Sequence, residues 1–424
     1  MNKPRLKIAV IGSGIAGIAS AYLLSKKHEV TLFEKEGRLG GHTNTVELQS
    51  GPDAGLGVDT GFIVCNDRTY PLLHSLFREW EVPVRNADMS FGYHDEKSGM
   101  TYGSKNLDML FAKRSNIVNL SFLQMVLGIG RFWRELPRDC NSNNLQSKTL
   151  REFLGSRYSQ SFVEHYLKPF AGAIWSASGT SVLDMPAELC ARFFMNHGML
   201  SYNDNPQWQT VVGGSHSYLK AFSDIFTGTV KLSSGVKTVI RSDQQVQIVT
   251  EKNESHVFDR VILATHADQA LTLLAEPTPD EKRLLSPWKY SKNYTVLHTD
   301  RSLLPPMKRG VAAWNYRRFL VEDKSKPVCV TYHMNTLQGF NSKTDYCVTL
   351  NPRREVPPDN IIAAFNYTHP EFSQESFATQ DQLPILNGKQ NTWFAGSYFR
   401  WGFHEDAVRS AFAVAADFGV KLGP

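Results

Sequence analysis

The stretch that decides the fold is Lys7 to Gly41, KIAVIGSGIAGIASAYLLSKKHEVTLFEKEGRLGG. It opens with an apolar run over Lys7–Ile11, which predicts a strand buried on both faces. The glycine-rich segment Gly12-Ser13-Gly14-Ile15-Ala16-Gly17 follows at once, and apolar residues at helical spacing come after it. A second strand, Val30–Glu34, ends in an acidic residue 22 positions after Gly12.

Each glycine of this G-x-G-x-x-G segment has a mechanical role. Gly12 permits a tight turn, Gly14 lets a pyrophosphate approach the backbone, and Gly17 lets the helix pack closely on the strand. The start of the helix offers unpaired N–H groups and a positive dipole end to phosphates. Glu34 is placed to accept hydrogen bonds from a ribose diol. A strand, glycines, a helix, a strand and an acid in this order predict a dinucleotide site rather than a purely structural glycine turn.

Composition narrows the class of protein. The chain has 424 residues, 42% of them hydrophobic and 21% charged, which is ordinary for a globular protein of two or three domains. A net charge of +5 is too small to indicate nucleic-acid binding. The five cysteines are scattered without metal-ligand spacing, which predicts a reduced compartment and no metal. With no apolar run near the roughly 18 residues of a membrane span and no room for a signal peptide before the first strand, we expect a cytoplasmic protein.

The residues after Glu34 discriminate between dinucleotides. Arg38 precedes a glycine doublet, Gly40-Gly41, for which a nicotinamide enzyme has no need. The arrangement resembles the extended fingerprint of FAD-binding oxidoreductases of the amine oxidase and phytoene desaturase superfamily, in which the doublet passes under the FAD pyrophosphate. That superfamily commonly carries arginine directly after the doublet, whereas this chain has His42.

The resemblance continues along the chain and implies further FAD contacts. The D-x-G segment Asp59-Thr60-Gly61, followed by Phe62, would line the flavin ring, and backbone near Val236 would contact the adenine. The buried strand that ends at Ala264 would close the nucleotide domain. A strand ending at Gly396 and the helix after Gly402 would complete the flavin site, with the helix N-terminus near the pyrimidine ring. The implied cofactor-binding residues are Gly12, Ser13, Gly14, Ile15, Ala16, Gly17, Glu34, Lys35, Arg38, Gly40, Gly41, His42, Thr43, Thr60, Gly61, Phe62, Val236, Ala264, Thr265, Gly396, Ser397, His404, Glu405, Asp406, Ala407 and Val408.

Longer motifs are similar to one bacterial branch of FAD-dependent, amine-oxidase-like proteins. Members of that branch resemble partners of cyclopropane-fatty-acid-synthase-type methyltransferases. The resemblance therefore implies an unsaturated or methylated acyl chain as substrate and a lipid methyltransferase as partner. The shared motifs are GGHTNTV (Gly40–Val46), VDTGFIV (Val58–Val64), IWSA (Ile174–Ala177), PQW-x-TVVGGS (Pro206–Ser215), ATHADQAL (Ala264–Leu271) and GFHEDAVRS (Gly402–Ser410).

The expected fold class follows from this resemblance. We expect an α/β protein in which a Rossmann-like FAD-binding domain of the glutathione reductase type carries an inserted α+β substrate domain. The FAD-binding domain would be discontinuous, formed by residues 1–70, 210–285 and 385–424. Residues 71–209 and 286–384 would form the substrate domain with a helical cap.

The expected chemistry is hydride transfer from a substrate C–H bond to noncovalently bound FAD. An allylic substrate must also lose a proton, and His42 and His404 are the candidate catalytic bases because both lie in flavin motifs. Trp175, Tyr398 and Trp401 are candidate walls of the substrate site. Two alternatives stay open: a flavin amine oxidase with an aromatic cage, and a non-catalytic flavoprotein that serves as partner of a methyltransferase.

Two further segments give structural expectations. Val230–Ile240 alternates in polarity, which predicts one strand. Leu107 to Leu136 is strongly apolar and is bracketed by basic residues. It is either a set of helices that caps the substrate domain, or a membrane-surface segment on the cytoplasmic side through which a lipid substrate arrives, with its basic residues at the headgroups.

Overall fold

The computed structural model describes residues 5–320 and 328–420. Residues 1–4, 321–327 and 421–424, which the sequence assigns to the two domains, lie outside the described residues. Strands and helices alternate along the chain, as expected for an α/β protein. In chain order the strands are β1 (Lys7–Ile11), β2 (Glu29–Phe33), β3 (Thr45–Glu47), β4 (Gly57–Asp59), β5 (Cys65–Asn66), β6 (Val84–Asn86), β7 (Phe91–Asp95), β8 (Thr101–Gly103), β9 (Trp208–Val211), β10 (Thr229–Lys231), β11 (Val236–Arg241), β12 (Val246–Thr250), β13 (Ser255–Phe258), β14 (Arg260–Leu263), β15 (Lys289–His298), β16 (Trp314–Arg318), β17 (Val330–His333), β18 (Cys347–Leu350), β19 (Ile361–Glu371) and β20 (Thr392–Phe394).

The helices connect these strands and cover the sheets. Short 3₁₀ segments lie between them, including Arg114–Val118, Lys308–Gly310 and Ser397–Phe399, and a π-helical turn spans Val163–Leu167. Every helix of the described ranges is too short or too polar to cross a bilayer. The α-helices are α1 (Ile15–Ser25), α2 (Pro71–Glu79), α3 (Leu107–Leu110), α4 (Leu120–Asn141), α5 (Leu150–Leu154), α6 (Gln160–Phe162), α7 (Lys168–Trp175), α8 (Gly179–Asp184), α9 (Ala187–Asn196), α10 (His216–Ile225), α11 (Ala267–Leu273), α12 (Pro279–Leu285), α13 (Met334–Leu337), α14 (Gln374–Gln380) and α15 (His404–Asp417).

A five-stranded parallel sheet in the order β10-β2-β1-β14-β20 forms the Rossmann-like part of the molecule. Ile8 to Val10 of its central strand are fully buried, which explains the uninterrupted apolar run in the sequence. Helix α1 packs on the sheet and is flanked by α15. The strands therefore come from both ends of the chain, and the α/β Rossmann-like fold class that we predicted is confirmed.

A second, seven-stranded mixed sheet in the order β19-β15-β18-β17-β16-β7-β8 lies outside the nucleotide part. Its two longest strands, β15 and β19, pair antiparallel over nearly their whole length. Helices between residues 107 and 196 pack around a large aromatic core that includes Phe132, Phe162 and Phe194. The exact domain boundaries that we predicted stay a prediction.

The expected single strand over Val230–Ile240 is wrong. The chain forms β10 at the edge of the parallel sheet, turns through Ser233, whose φ is +48°, and then forms β11 of a separate antiparallel sheet with β12 and β13. The polarity pattern does not show this break, because β10 is only three residues long and none of them is buried, whereas β11 alternates in burial around Val239.

Candidate functional site

The candidate site lies at the carboxyl edge of the parallel sheet. Ile11, the last residue of β1, is level with Phe33 of β2 and Leu263 of β14, and Leu263 is level with Phe394 of β20. The residues that follow, among them Gly12 and Glu34, therefore emerge side by side. Because ligands of open α/β sheets bind outside the carboxyl ends of the strands, this edge is where a nucleotide is expected.

The glycine-rich turn has the geometry that a pyrophosphate needs. Gly12 has a φ of +97°, and a Cβ atom there would lie 2.7 Å from the Ala264 carbonyl oxygen. A Cβ on Gly17 would lie 1.8 Å from the Gly12 carbonyl oxygen, so these two glycines are required by the fold itself. Gly14 differs, since a Cβ added there would have no other heavy atom within 4 Å. Its open side is the approach that a phosphate requires.

The N-terminus of α1 is suited to an anion. The helix begins after Gly14, no side chain caps it, and its first turn holds no acidic residue. Its first-turn N–H groups and its positive dipole end are therefore available for negative charge. This buried, uncapped helix start next to the open side of Gly14 fits the pyrophosphate of a dinucleotide.

Glu34 is held at the edge by the turn. Its Oε2 accepts hydrogen bonds from the Ser13 backbone N–H (2.9 Å) and from Ser13 Oγ (2.6 Å). Its Oε1 accepts one from the Glu36 backbone N–H at 2.9 Å. A carboxylate offers about four acceptor positions, so a fixed Glu34 can still accept hydrogen bonds from a ribose.

The glycine doublet lies against the first glycine turn. The Gly40 N–H donates to the Ser13 carbonyl at 3.0 Å, and a Cβ on Gly41 would lie 3.2 Å from Gly14 Cα. The Arg38 guanidinium holds this loop by donating to the Thr43 and Gly41 carbonyls at 2.9 and 3.0 Å. Lys35 is exposed, and its ammonium lies 3.7 Å from the Glu36 carboxylate.

Residues from both ends of the chain meet at Thr43. The Thr43 hydroxyl is hydrogen-bonded to Tyr218 and lies 3.2 Å from His404 Nε2. The His404 ring stacks on Phe62 with centroids 3.7 Å apart. Burial lowers the pKa of His404 to about 3, so its imidazole is neutral, but the Nε2 is already engaged by Thr43. The structure thus brings the doublet, the D-x-G segment and the C-terminal motif together.

His42 lies in a cluster of rings that the sequence did not indicate. Its ring centroid is 5.4 Å from those of Tyr367 and His369, and 6.2 Å from that of His266. Burial lowers the pKa of His42, and it lowers the pKa of His266 and His369 to about 3. The three imidazoles are therefore neutral at pH 7. His42 Nε2 is buried without a hydrogen-bond partner, which leaves it available to a ligand.

Two acidic residues begin α15, and their side chains have structural partners. Glu405 accepts hydrogen bonds from the Leu72 and Leu73 N–H groups at 3.2 and 2.9 Å, and so caps α2. Asp406 accepts hydrogen bonds from the Trp401 and Phe403 N–H groups at 3.2 and 3.0 Å. The carboxylates therefore fix the helix start, and only backbone groups of this turn are left for a cofactor.

The remaining predicted cofactor residues lie around the same edge. Thr60 accepts a hydrogen bond from Asn44 at 2.9 Å, and a Cβ on Gly61 would lie 1.9 Å from the His42 carbonyl oxygen. Val236 begins β11 in the antiparallel sheet, two residues after Ser234, whose N–H donates to the Glu34 carbonyl oxygen at 2.8 Å. The others follow β14, follow β20 or face α1: Thr265, Gly396, Ser397, Ala407 and Val408 are the members of this group, with Ile15 and Ala16 buried in α1 itself.

The three predicted substrate residues do not form one wall. Trp175 and Trp401 both pack against Phe193, with ring centroids 4.9 and 6.0 Å away. Tyr398 instead turns toward Trp288, 5.8 Å away, because Gly396 leaves its ring room to fold under the backbone. Trp175, Phe193, Trp401 and Phe403 form one group of packed rings, which we term the aromatic cluster, and Tyr398 lies outside it.

A cation lies at this cluster. The Arg400 guanidinium carbon is 4.1 Å from the centroid of the Trp401 ring, a cation–π contact. Within residues 5–320 and 328–420 its guanidinium makes no hydrogen bond or ion pair, and burial lowers its pKa. The nearby carboxylates, Glu405 and Asp406, are occupied by backbone N–H groups. Arg400 is therefore a half-buried cation free to bind an anionic group.

Some of these residues were within reach of sequence reasoning. His266 directly follows Ala264 and Thr265, so its position at the carboxyl edge of the sheet could have been inferred. Arg400 lies between Tyr398 and Trp401, both of which were singled out. Tyr367 and His369 have no such signal, since they lie on β19 of the other sheet.

The chain is similar to known proteins in both sequence and fold. The family model described as flavin containing amine oxidoreductase matches residues 15–302. The L-amino-acid oxidase of Siganus canaliculatus is 24% identical over 283 residues, which cover 64% of this chain and 52% of that protein, so the chain spans about half the length of this curated relative.

Two solved structures share the fold. A CLA-producing fatty acid isomerase from P. acnes has a TM-score of 0.71 at 14% identity, covering 97% of this chain and 98% of the other. Wild-type putrescine oxidase bound to putrescine has a TM-score of 0.68 at 14% identity, covering 99% and 100%.

Proposed function

The chain belongs to the flavin-containing amine oxidoreductase family, and we propose that it is an FAD-dependent oxidoreductase that removes a hydride from a C–H bond of an unsaturated or methylated fatty acyl chain. The product would be a desaturated chain, or an isomer with a shifted double bond if the hydride is returned to another carbon of the chain. We choose this substrate because Arg400 lies at the aromatic cluster and forms no ion pair within the described residues.

The residues at the carboxyl edge of the sheet would hold FAD noncovalently. The open side of Gly14 and the uncapped start of α1 would take the pyrophosphate, and Glu34 would take the adenosine ribose. The first backbone N–H groups of α15 would face the flavin pyrimidine ring. Release of the yellow colour from the polypeptide on acid denaturation is the expected result for noncovalent binding.

FAD supplies the acceptor for a hydride from the substrate carbon. The protein must exclude water, and the buried rings around Phe193 would do this on the substrate side. Desaturation also requires loss of a proton from the neighbouring carbon. Of the two predicted bases, His42 has the unengaged nitrogen, whereas His404 is bound to Thr43, so we assign proton removal to His42 Nε2.

The chemistry of the cluster supports an acyl chain over an amine. An alkyl chain is stabilised by aromatic side chains such as Trp175 and Phe193, and its carboxylate would pair with Arg400. A substrate ammonium would instead meet a like charge at Arg400. The fatty acid isomerase among the similar folds acts on the same class of compound, and putrescine oxidase represents the competing amine class.

The test is an anaerobic titration of the FAD-loaded protein. Linoleate, its methyl ester and putrescine are added in separate series while the visible flavin band and the conjugated-diene absorbance are followed. We expect linoleate to bleach the band or to generate the diene, and the methyl ester to require a higher concentration. Bleaching by putrescine alone would establish an amine oxidase instead, and no response to any series would favour a non-catalytic flavoprotein.

Arg400 is tested with a matched variant. Arg400→Gln should weaken the response to linoleate about 10- to 100-fold, as expected for loss of one charge-assisted hydrogen bond, and leave that to the methyl ester nearly unchanged. Arg283→Gln removes an exposed cation of α12, which pairs with Asp280, and should change neither. Equal losses for both ligands in Arg400→Gln would contradict a carboxylate contact. The partnership with a lipid methyltransferase stays a prediction, to be tested by co-purification.

A further inference from the structure

Exposed apolar side chains are concentrated in one short part of the chain. Among the described residues, 19 large hydrophobic side chains are exposed, and six of them lie between residues 107 and 127. Scattered exposed apolar residues are normal on a protein surface. Six within this short segment form a patch, and such a patch requires an explanation. The six are Leu107, Ile117, Val118, Leu120, Leu123 and Leu127, with exposed fractions between 40% and 82%.

The fold explains why this patch is not part of the core. Helix α4 begins after Asn119, whose side chain accepts a hydrogen bond from the Phe122 N–H at 3.1 Å. Phe122 and Met125 on its inner face are fully buried. Leu123 and Leu127, at helical spacing on the opposite face, point to solvent. The first two turns of α4 are thus apolar on both faces, and only the inner face packs against the core.

Cations surround the patch. Arg134 continues the outer stripe of α4 one heptad after Leu127. The 3₁₀ segment Lys308–Gly310 contacts α3 and contributes Lys308 and Arg309. In the described part of the chain these three cations form no ion pair, and Asp108, the exposed acid of α3, is already paired with Arg114. The rim is therefore positively charged.

We propose that the surface formed by α3, the segment Arg114–Val118, the first half of α4 and Lys308–Gly310 binds the headgroup region of a bilayer that contains anionic phospholipids. We term it the α3–α4 surface. Its leucines would enter the acyl boundary and its cations would lie at the phosphates, the arrangement of interfacial helices. No helix of the described residues could span the bilayer, so the contact is peripheral.

A bilayer fits this surface better than a second copy of the chain does. A two-fold dimer brings the same patch of both subunits together, so Arg134, Lys308 and Arg309 would face their own copies or each other. Like charges at close distance oppose association, whereas anionic lipids attract the same cations. The positive rim therefore favours the lipid surface as the occupant.

The test is flotation of the FAD-loaded protein with vesicles of phosphatidylcholine, with and without phosphatidylglycerol. We expect binding that rises with phosphatidylglycerol and falls with salt. Leu127→Gln and Val118→Gln should each reduce it severalfold, and Arg134→Gln and Lys308→Gln about fivefold each, the equivalent of about 1 kcal/mol per cation at an anionic surface. Leu232→Gln and Val257→Gln alter exposed side chains elsewhere and should bind as the wild type does.

Three results would overturn the proposal. These are absence of binding to both vesicles, equal losses in the patch and control variants, and patch variants that change only the oligomeric state in sedimentation. The flavin spectrum of each variant shows that it is folded. Because flotation is scored without turnover, its outcome is independent of the proposed reaction on acyl chains.

Discussion

At the scale of single residues, positions 14 and 17 of the first turn are glycine for different physical reasons. Gly17 has no room for a side chain, because a Cβ would lie 1.8 Å from the Gly12 carbonyl oxygen. Gly14 has room, because its φ is −61° and no other atom lies within 4 Å of an added Cβ. The packing of the fold therefore requires glycine at position 17, whereas the open side of Gly14 is available to a ligand.

This difference gives a paired prediction. Gly17→Ala should destabilise the protein by roughly 1–3 kcal/mol or more, since overpacking forces the backbone to move. Gly14→Ala should leave the free energy of unfolding within about 1 kcal/mol of the wild type, yet weaken FAD binding at least about tenfold, because the methyl group occupies the phosphate approach. Chemical denaturation of the cofactor-free protein and flavin fluorescence titration measure the two effects. Unchanged FAD affinity in folded Gly14→Ala would contradict the assigned pyrophosphate position.

The ring cluster around His42 shows the limit of sequence reasoning at this scale. Residues 42, 266 and 369 lie on three separate segments, and His369 reaches His42 because β19 of the mixed sheet passes close to the doublet loop. The sequence analysis named His42 as a site residue, but neither His266 nor His369. Periodicity describes which face of a strand is buried, but it carries no information on which distant strand covers that face.

At the scale of elements, the acidic side chains at the start of α15 have structural roles that its sequence does not show. The carboxylates of Glu405 and Asp406 accept hydrogen bonds from backbone N–H groups of α2 and of the preceding loop, so the cofactor contact expected at these two residues is left to their backbone N–H groups. Burial raises the pKa of Asp406 from 3.8 to about 7, and the N–H of Phe403 opposes that shift. Much of Asp406 is therefore protonated at neutral pH in the folded chain.

The raised pKa predicts a pH dependence of stability. Between about pH 4 and 7 the unfolded chain has an ionised Asp406 while the folded chain keeps it protonated, so folding takes up a proton. The contribution of this group to stability is complete below about pH 4 and is lost as the pH rises through about 7, at about 1.4 kcal/mol per pH unit within the window. Relative to the wild type, Asp406→Asn should therefore gain stability as the pH rises from about 4 to about 7, and then level off.

Urea denaturation at several pH values measures this difference. Asp224→Asn is the matched control, because Asp224 is exposed and makes no hydrogen bond or ion pair within the described ranges. The difference between this control and the wild type should not change with pH. A flat difference for Asp406→Asn as well would mean that its folded pKa is ordinary.

At the scale of the whole molecule, the sequence predicted which strands meet at the carboxyl edge of the parallel sheet. It did not predict the contacts between this part of the molecule and the mixed sheet. The order of strand, glycines, helix and acid carries its own geometry, because parallel strands bring their carboxyl ends together. The contacts that connect the nucleotide part to the mixed sheet depend on single side chains far apart in the chain. Asp59 is an example: the motif suggested a flavin-lining segment, and the structure shows a buried carboxylate that accepts hydrogen bonds from Thr45, Ser215 and Gln338.

Gln338 is the residue of the mixed-sheet part that forms hydrogen bonds with Asp59. Its Oε1 accepts a hydrogen bond from the Asp59 N–H at 2.9 Å, and its Nε2 donates to Asp59 Oδ2 at 3.0 Å. Gln338→Leu would leave a buried N–H without an acceptor and remove one donor from a buried carboxylate. We expect a loss of about 2–4 kcal/mol in the free energy of unfolding, the sum of these two costs.

Gln338→Leu also tests whether the contact with Asp59 is only local or whether the cofactor site depends on it. Gln247→Leu removes one half-exposed hydrogen bond to Ser255 and should cost at most about 1 kcal/mol. If Asp59 connects the parts, Gln338→Leu should also weaken FAD binding, because Thr60 and Gly61 of the flavin-lining segment directly follow Asp59. Loss of stability with unchanged FAD affinity would restrict Gln338 to a structural role. Loss of both would show that the cofactor site depends on how the mixed sheet is seated on the nucleotide part.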